Sequence, residues 1–276
     1  MNELDINNPQ LPDFIVPGAD EKKQDEPAKI KVIGVGGGGG NAVNHMYHQG
    51  IGGVSFVLCN TDAQALRNSP VPVKVQLGAK GEGAGNIPEV AKKLAEESAA
   101  EVEALFDDNT RMAFITAGMG GGTGTGAAPV VARIAKEKGV LTVGIVTIPF
   151  LFEGEPKILQ AFAGVEEMRK HVDALLVINN ERLCKIYPDL SWTTAFAKAD
   201  DSLSNAARSI AELVSKDGKI NLDFADVRTT LKDGGAAVIS TGSGEGEHRM
   251  SRAIQNALTS PLLKESDIYG AERVLF

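Results

Sequence analysis

Short apolar runs alternate with stretches of helical composition along most of the chain. The runs that predict strands are Ile30–Val35, Val54–Cys59, Val73–Leu77, Met112–Ala117, Leu141–Ile148 and Ala174–Ile178. Short and nearly continuous apolar runs are typical of strands that are buried on both faces of a parallel sheet. Because helical segments lie between the runs, the pattern predicts an α/β fold with a mainly parallel sheet covered by helices on both sides.

Glycine-rich segments follow three of the predicted strands. One of them, Gly78–Asn86, comes after Val73–Leu77, and the other two lead directly into predicted helices. Gly36–Asn41 leads into a helix predicted from Ala42, and Gly118–Gly126 leads into a helix with Pro129 in its first turn and Gly139 after its end. Glycine lets the backbone curl so that successive N–H groups point inward, and a helix N-terminus adds positive potential. Ligands of such sheets bind beyond the carboxyl ends of the strands. The two segments therefore predict a phosphate-binding cradle.

The last third of the chain predicts one long helix and a smaller unit. Thr193–Val214 lacks proline and glycine, and Phe196 and Asp200 lie four residues apart on one face of the helix that it predicts. Next come a predicted strand at Ala236–Ser240, a helix at His248–Leu258 and the start of a strand at Ala271–Phe276. These elements are too few to bury a core of their own. We therefore expect the sequence to be a fragment that ends inside a second domain.

Composition and charge restrict the partners. Residues 1–29 are polar and show no periodicity, which predicts a disordered tail. The net charge of −8 disfavours nucleic acid and anionic membranes as partners. Cys59 and Cys184 are far apart, as expected of reduced thiols in a cytoplasmic protein. No apolar run in the sequence is long enough to predict insertion into a membrane.

The first predicted strand and glycine segment also fit a dinucleotide site. Gly34, Gly36 and Gly39 satisfy the spacing G-x-G-x-x-G, and Asp62 follows the second strand, where a ribose-binding acid is expected. This pattern makes an NAD-dependent oxidoreductase a rival hypothesis. It leaves Gly120–Gly126 and the group Asn221, Asp223 and Asp226 without a role.

Five motifs in the same order resemble the FtsZ family, the bacterial tubulin-like cell-division GTPases. The motifs are Gly34–Asn41, Asn60–Asp62, the tubulin-type signature Gly120–Gly126, Pro149–Gly154 and Asn221–Asp226. The resemblance extends from about Ile30 to the end of the chain. The motif G-x-x-x-x-G-K-[ST] is absent from the sequence, which excludes a P-loop GTPase.

The resemblance implies a GTP-binding domain at residues 30–192, a central helix at 193–214, and a catalytic loop with a truncated second domain at 215–276. It implies that the two glycine segments bind the phosphates and that Glu153 accepts hydrogen bonds from the ribose hydroxyls. It further implies that Phe196 stacks on the guanine and that Asp200 accepts hydrogen bonds from it. The implied nucleotide contacts are Gly37, Gly38, Gly39, Gly40, Asn41, Gly121, Gly122, Thr123, Gly124, Thr125, Gly126, Glu153, Lys157, Asn180, Phe196 and Asp200. From the residues alone, Phe196 could equally be a core side chain and Asp200 a solvated one.

The resemblance also implies catalysis between subunits. Asn221, Asp223 and Asp226 would reach the nucleotide of the next subunit in a head-to-tail filament, and would order and polarise the attacking water there. Mg²⁺ would be held mainly by phosphates and water. By spacing alone, Asp223 and Asp226 could simply be an N-cap and a first-turn acid of a helix.

The resemblance further implies a role in the cell. The filaments would form the division ring at mid-cell, with division proteins and membrane-tethering adaptors as partners. A non-hydrolysing tubulin-like scaffold stays open as an alternative. The sequence departs from the family pattern in three places: Lys157 replaces a common arginine, Asn179 replaces a common proline, and Gly85–Pro88 replaces the usual glycine-glycine-asparagine-proline. Lysine keeps the charge but lacks the two-pronged geometry of arginine.

Overall fold

The computed structural model describes residues 29–186, 191–215, 224–240, 242–258 and 270–275. Within them the strands are β1 (Lys29–Val35), β2 (Val54–Asn60), β3 (Val73–Gln76), β4 (Thr110–Gly118), β5 (Leu141–Ile148), β6 (Ala174–Asn179) and β7 (Gly235–Ala237). The helices are α1 (Gly36–His48), α2 (Ala63–Arg67), α3 (Pro88–Glu97), α4 (Ala99–Ala104), α5 (Gly122–Glu137), α6 (Glu155–His171), α7 (Asn180–Ile186), α8 (Trp192–Ser215), α9 (Phe224–Leu231) and α10 (Arg249–Leu258). A 3-10 turn spans Leu151–Glu153.

The strands form one sheet in the order β3-β2-β1-β4-β5-β6-β7, and every neighbouring pair is parallel. In the register, Val35 at the end of β1 lies beside Cys59 of β2 and Ala117 of β4. The carboxyl ends of the central strands therefore meet at one edge of the sheet. The predicted α/β fold with a parallel sheet is confirmed.

Each face of the sheet carries its own apolar core. Ile115 of β4 belongs to the core under α3, α4, α5 and α6, whereas Phe114 belongs to the core under α1, α8 and α9. The central strand β5 is buried along its whole length. Burial on both faces explains why the strands read as continuous apolar runs in the sequence. No helix in the described part of the chain is long and apolar enough to cross a membrane.

Two predicted helix starts were wrong. The helix predicted from Ala42 begins at Gly36, and α5 begins at Gly122, so Pro129 lies inside the helix and not in its first turn. Close packing explains why glycines occupy these first turns. A Cβ atom at Gly39 would lie 2.2 Å from the carbonyl oxygen of Thr116 in β4.

The segment after α8 extends the main sheet. The strand predicted at Ala236–Ser240 and assigned to a second domain is observed as β7, which pairs with β6 as the last strand of the same sheet. Phe224 and Val227 of α9 are buried in the core shared with α1 and α8. Residues 271–275 form no strand, contrary to the prediction. The predicted tail at 1–28 and the segment 216–223 lie outside the described residues.

Candidate functional site

The two glycine segments meet at the carboxyl ends of β1 and β4. Gly36 has a φ of +73°, and a Cβ atom there would lie 2.8 Å from the amide nitrogen of Gly124. A Cβ atom at Gly38 would lie 3.1 Å from the Cα atom of Gly118. Side chains at these positions would separate the segments, so glycine is required for their backbones to touch.

Two helices begin at this contact with no side-chain cap. The N-cap residues are Val35 for α1 and Gly121 for α5, and neither makes a side-chain hydrogen bond to its helix. The first N–H groups of a helix need partners from outside it. Together with the positive end of the helix dipole, they form a site suited to phosphate oxygens.

The implied phosphate contacts differ in exposure. Gly37, Gly38 and Asn41 are exposed, and Gly40, Gly121 and Thr123 are half-buried. Gly39, Gly122, Gly124, Thr125 and Gly126 are buried. Thr125 uses its Oγ1 to accept a hydrogen bond from the Gly120 amide at 2.9 Å. A Cβ atom at Gly126 would lie 2.0 Å from the Pro88 carbonyl oxygen, so this glycine permits close packing against α3.

The segment after β2 is tied to the second glycine segment. The hydroxyl groups of Thr61 and Thr123 lie 2.7 Å apart. Asp62 caps α2, because its Oδ1 accepts hydrogen bonds from the amides of Gln64 at 2.7 Å and Ala65 at 3.3 Å. Asp62 therefore has a structural role that accounts for its position after β2.

An aromatic side chain and a half-buried acid lie near the start of α8. Phe196 is 42% exposed and meets Phe150 edge-on, with ring centroids 5.2 Å apart. Asp200 follows one turn later. The pKa of Asp200 is raised to about 6, mainly by burial; the charge of His45 partly opposes the rise, and that of Asp201 adds to it. A partly exposed aromatic ring can stack on a base, and a half-buried carboxyl beside it can accept hydrogen bonds from that base.

Glu153 and Lys157 interact with each other. Lys157 Nζ lies 3.3 Å from Glu153 Oε2, and Glu153 Oε1 accepts a hydrogen bond from the Phe150 amide at 3.0 Å. This arrangement fixes Glu153 next to the aromatic group. The Lys157 ammonium is thereby engaged in an ion pair with Glu153.

Asn180 lies at the carboxyl end of β6, as the first residue of α7. Its side chain is buried, and its Oδ1 has no hydrogen-bond partner among the described residues. A buried polar atom without a partner is costly, and native structures contain few of them. The Asn180 amide is therefore a candidate for a contact with a ligand.

Sequence reasoning missed two residues at this site. Thr61 belongs to a motif that was recognised, but no role was assigned to it. Gln160 of α6 donates hydrogen bonds to the carbonyl oxygens of Gly120 and Gly121. Nothing in the local sequence marks Gln160, because its partners lie about 40 residues earlier in the chain.

Asp226 lies at the other edge of the sheet. It is exposed in the first turn of α9, two residues after Phe224. Phe224 packs under the guanidinium of Arg111, whose carbon lies 4.3 Å from the ring centroid. Arg111 is the second residue of β4, whereas Gly118 is its last, so about 23 Å of strand separate them. Asp226 is thus remote from the glycine segments of its own chain. Asn221 and Asp223 lie outside the described residues.

A sequence model of the Tubulin/FtsZ family, GTPase domain, matches residues 29–188, which is more than half of the chain. The chain belongs to the Tubulin/FtsZ family. The cell division protein FtsZ of Porphyromonas gingivalis is 66% identical over 254 residues, which cover 91% of this chain and 56% of that protein. FtsZ of Aquifex aeolicus is 48% identical over 253 residues, covering 90% of this chain and 69% of that protein. The chain spans about half the length of the first of these relatives.

Solved structures of the family share the fold. An empty FtsZ dimer from M. jannaschii superposes with a TM-score of 0.82 at 45% identity, covering 87% of this chain and 71% of that one. A GTPgS-bound protofilament of CetZ2 from Haloferax volcanii gives a TM-score of 0.69 at 25% identity, covering 79% of this chain and 67% of that one. The sequence-based assignment to an FtsZ-like fold is confirmed.

Proposed function

We propose that the chain binds GTP in the cleft where its two glycine segments meet. The observation that carries this proposal is the contact between Gly36 and Gly124, which brings two uncapped helix N-termini to one point. The phosphates would accept hydrogen bonds from the backbone amides of both segments. The CetZ2 protofilament from Haloferax volcanii is bound to GTPgS, which supports the choice of a guanosine triphosphate.

The base would lie between Phe196 and Asp200. An ionised Asp200 accepts from the N1–H and the exocyclic amine of guanine, two parallel donors that adenine does not present. The Oδ1 of Asn180, which has no hydrogen-bond partner among the residues that the structure describes, would supply another acceptor for the base or the ribose. Glu153 would accept from the ribose hydroxyls. Lys157 would approach the nucleotide if its ammonium left Glu153.

Hydrolysis would require a second copy of the chain. Asp226 is separated from the glycine segments of its own chain by the length of β4. It would instead reach the nucleotide of a neighbour, together with Asn221 and Asp223. There the carboxylates would polarise the attacking water, and Mg²⁺ held by phosphates and water would neutralise the developing charge. The similar structures support assembly, since they include a dimer and a protofilament.

At the scale of the cell, the protein would act as a division GTPase. Head-to-tail copies would form filaments at the mid-cell division site, in the cytoplasm, where division proteins and membrane-tethering adaptors would bind them. The similarity to cell division proteins of two bacteria supports this role. A non-hydrolysing scaffold would bind the nucleotide in the same pocket, but Asp223 and Asp226 would have no catalytic task. An NAD-dependent oxidoreductase is less well supported, because Asp62 already caps α2.

Calorimetric titration of the chain with GTP, ATP and NAD tests the proposal. We expect GTP to bind about a hundredfold more tightly than ATP, because ATP lacks the donors that Asp200 accepts from. NAD should give no saturable heat. Tight binding of NAD without binding of GTP would overturn the proposal and favour the oxidoreductase.

A further inference from the structure

The side chain of Gln160 in α6 is hydrogen-bonded to the backbone of the second glycine segment. Its Nε2 donates to the carbonyl oxygen of Gly120 at 3.0 Å and to that of Gly121 at 3.1 Å. Gln160 lies in the second turn of α6 and is half-buried. An amide nitrogen carries two N–H groups, so one side chain can serve both carbonyls.

Gly120 is also held through its amide nitrogen, which belongs to the preceding peptide unit. Its N–H donates to Thr125 Oγ1 at 2.9 Å, and its φ of +97° is a conformation that favours glycine. A Cβ atom at Gly120 would lie 2.7 Å from Pro149 and 2.8 Å from the carbonyl oxygen of Lys157. The start of α6 therefore packs directly against this turn, which leaves Gln160 little freedom to move away.

The two hydrogen bonds determine the direction of the neighbouring backbone N–H groups. In a trans peptide the N–H points opposite to the C=O of the same unit. The carbonyls of Gly120 and Gly121 point toward Gln160, so the N–H groups of Gly121 and Gly122 point away from α6. These are the amides at the start of α5, where the dipole already favours an anion.

We propose that Gln160 is a positioning residue that aims the amides of Gly121 and Gly122 at the nucleotide phosphates. The inference rests on the proposed function, since it assigns a phosphate ligand to that cleft. Without the two hydrogen bonds either peptide can rotate, and a rotated peptide would present a carbonyl oxygen to the phosphate. Gln160 would thus raise the affinity for phosphates without touching the ligand.

The test compares Gln160→Met, which keeps the length but loses the donor, with wild type and with Glu166→Met. Glu166 is exposed on the same helix and serves as the matched control. We expect Gln160→Met to weaken GTP binding about tenfold, measured by competition with a fluorescent GTP analogue, because two charge-assisted hydrogen bonds lose their alignment. Guanosine, which has no phosphate, should bind all three proteins within about twofold of each other.

Comparing GTP with guanosine distinguishes a loss of amide positioning from a general loosening of the pocket. A loosened pocket would weaken guanosine and GTP alike, and that result would overturn the inference, as would wild-type affinity of Gln160→Met for GTP. If thermal denaturation shows no folding transition for Gln160→Met, Gln160→Glu is compared instead. An ionised carboxylate of the same length cannot donate a hydrogen bond to the two carbonyl oxygens. Failure of the wild-type chain to bind GTP would overturn the proposed function and this inference with it.

Discussion

At the scale of single residues, Asp200 is the group whose environment most affects the proposed chemistry. The pKa of this carboxyl is raised to about 6, mainly by burial, with His45 partly opposing the rise and the adjacent Asp201 adding to it. His45 Nε2 also lies 2.8 Å from Asp201 Oδ1, so the three side chains form one group between α1 and α8. The carboxyl is therefore close to half-protonated at mildly acidic pH.

Affinity for GTP should fall as the pH falls through 6. Only the ionised carboxylate accepts from both guanine donors, so protonation removes the contact and weakens binding. For a pKa of about 6, the apparent affinity at pH 5 should be about tenfold lower than at pH 8. Titrations at a series of pH values measure this change.

Asp200→Asn is the control for that measurement, because the terminal phosphate of GTP also titrates in this range. The variant should bind GTP weakly at every pH and lack the part of the pH dependence that belongs to Asp200. If Asp200→Asn shows the same pH profile as wild type, the carboxyl is not the group responsible.

At the scale of elements, α1 depends on glycine for its distance from the sheet. Gly39 and Gly37 belong to the same first turn and face opposite sides. A Cβ atom at Gly39 would lie 2.2 Å from the Thr116 carbonyl oxygen, whereas one at Gly37 would meet nothing within 4 Å. The same substitution should therefore have opposite consequences at the two positions.

Gly39→Ala should lower the free energy of unfolding by about 3 kcal/mol, because the added methyl group forces α1 away from β4. Gly37→Ala should leave it unchanged or raise it by up to about 1 kcal/mol, since alanine favours a helix over the unfolded chain. Urea denaturation of both variants measures the difference. Equal stability of the two would mean that α1 can move without cost.

The elements also show how far sequence reasoning reaches. The strands could be predicted because residues such as Phe114 and Ile115 are buried on opposite faces and produce an unbroken apolar run. The start of α1 could not, because glycine disfavours helices in isolation and only packing against Thr116 makes it favourable there. The pairing of β7 with β6 is a contact between distant segments, and no local pattern encodes it.

The candidate site divides in the same way. The glycine segments are local patterns that predict a phosphate cradle from the residues. The spacing of Phe196 and Asp200 only places them on one helix face, and their proposed roles came from the resemblance to the FtsZ family. The contacts of Gln160 arise only when distant segments meet, as does the burial of an Asn180 oxygen that has no hydrogen-bond partner in the described part of the chain. These features could not be singled out by physical reasoning from the sequence alone.

At the scale of the whole molecule, the two edges of the sheet carry different chemistry. The carboxyl ends of the strands bear the glycine segments, and Asp226 lies near the amino end of β4 beside Phe224 and Arg111. A contact between unlike surfaces of identical subunits is heterologous, and it repeats without closing when no rotation brings it back on itself. The proposed catalytic contact would therefore build a filament.

Mixing two variants that each lack activity tests whether Asp226 acts on the nucleotide of a neighbouring subunit. The experiment uses protein of the same length as the full relatives. Asp226→Ala should keep its affinity for GTP and lose most of its turnover, and Asp200→Asn should hydrolyse little because it binds GTP weakly. In an equal mixture, some contacts pair the intact pocket of one variant with the intact acid of the other. Random assembly makes this roughly a quarter of all contacts, so turnover should recover to roughly a quarter of the wild-type rate.

The outcome depends on where Asp226 acts. If it served the nucleotide of its own chain, each variant would remain defective in any mixture, and the measured turnover would equal the mean of the two alone. Glu166→Met mixed with Asp226→Ala controls for dilution, since it supplies both an intact pocket and an intact acid. Recovery in the mixture requires that a pocket and an acid from different chains meet, which is the step that links hydrolysis to assembly.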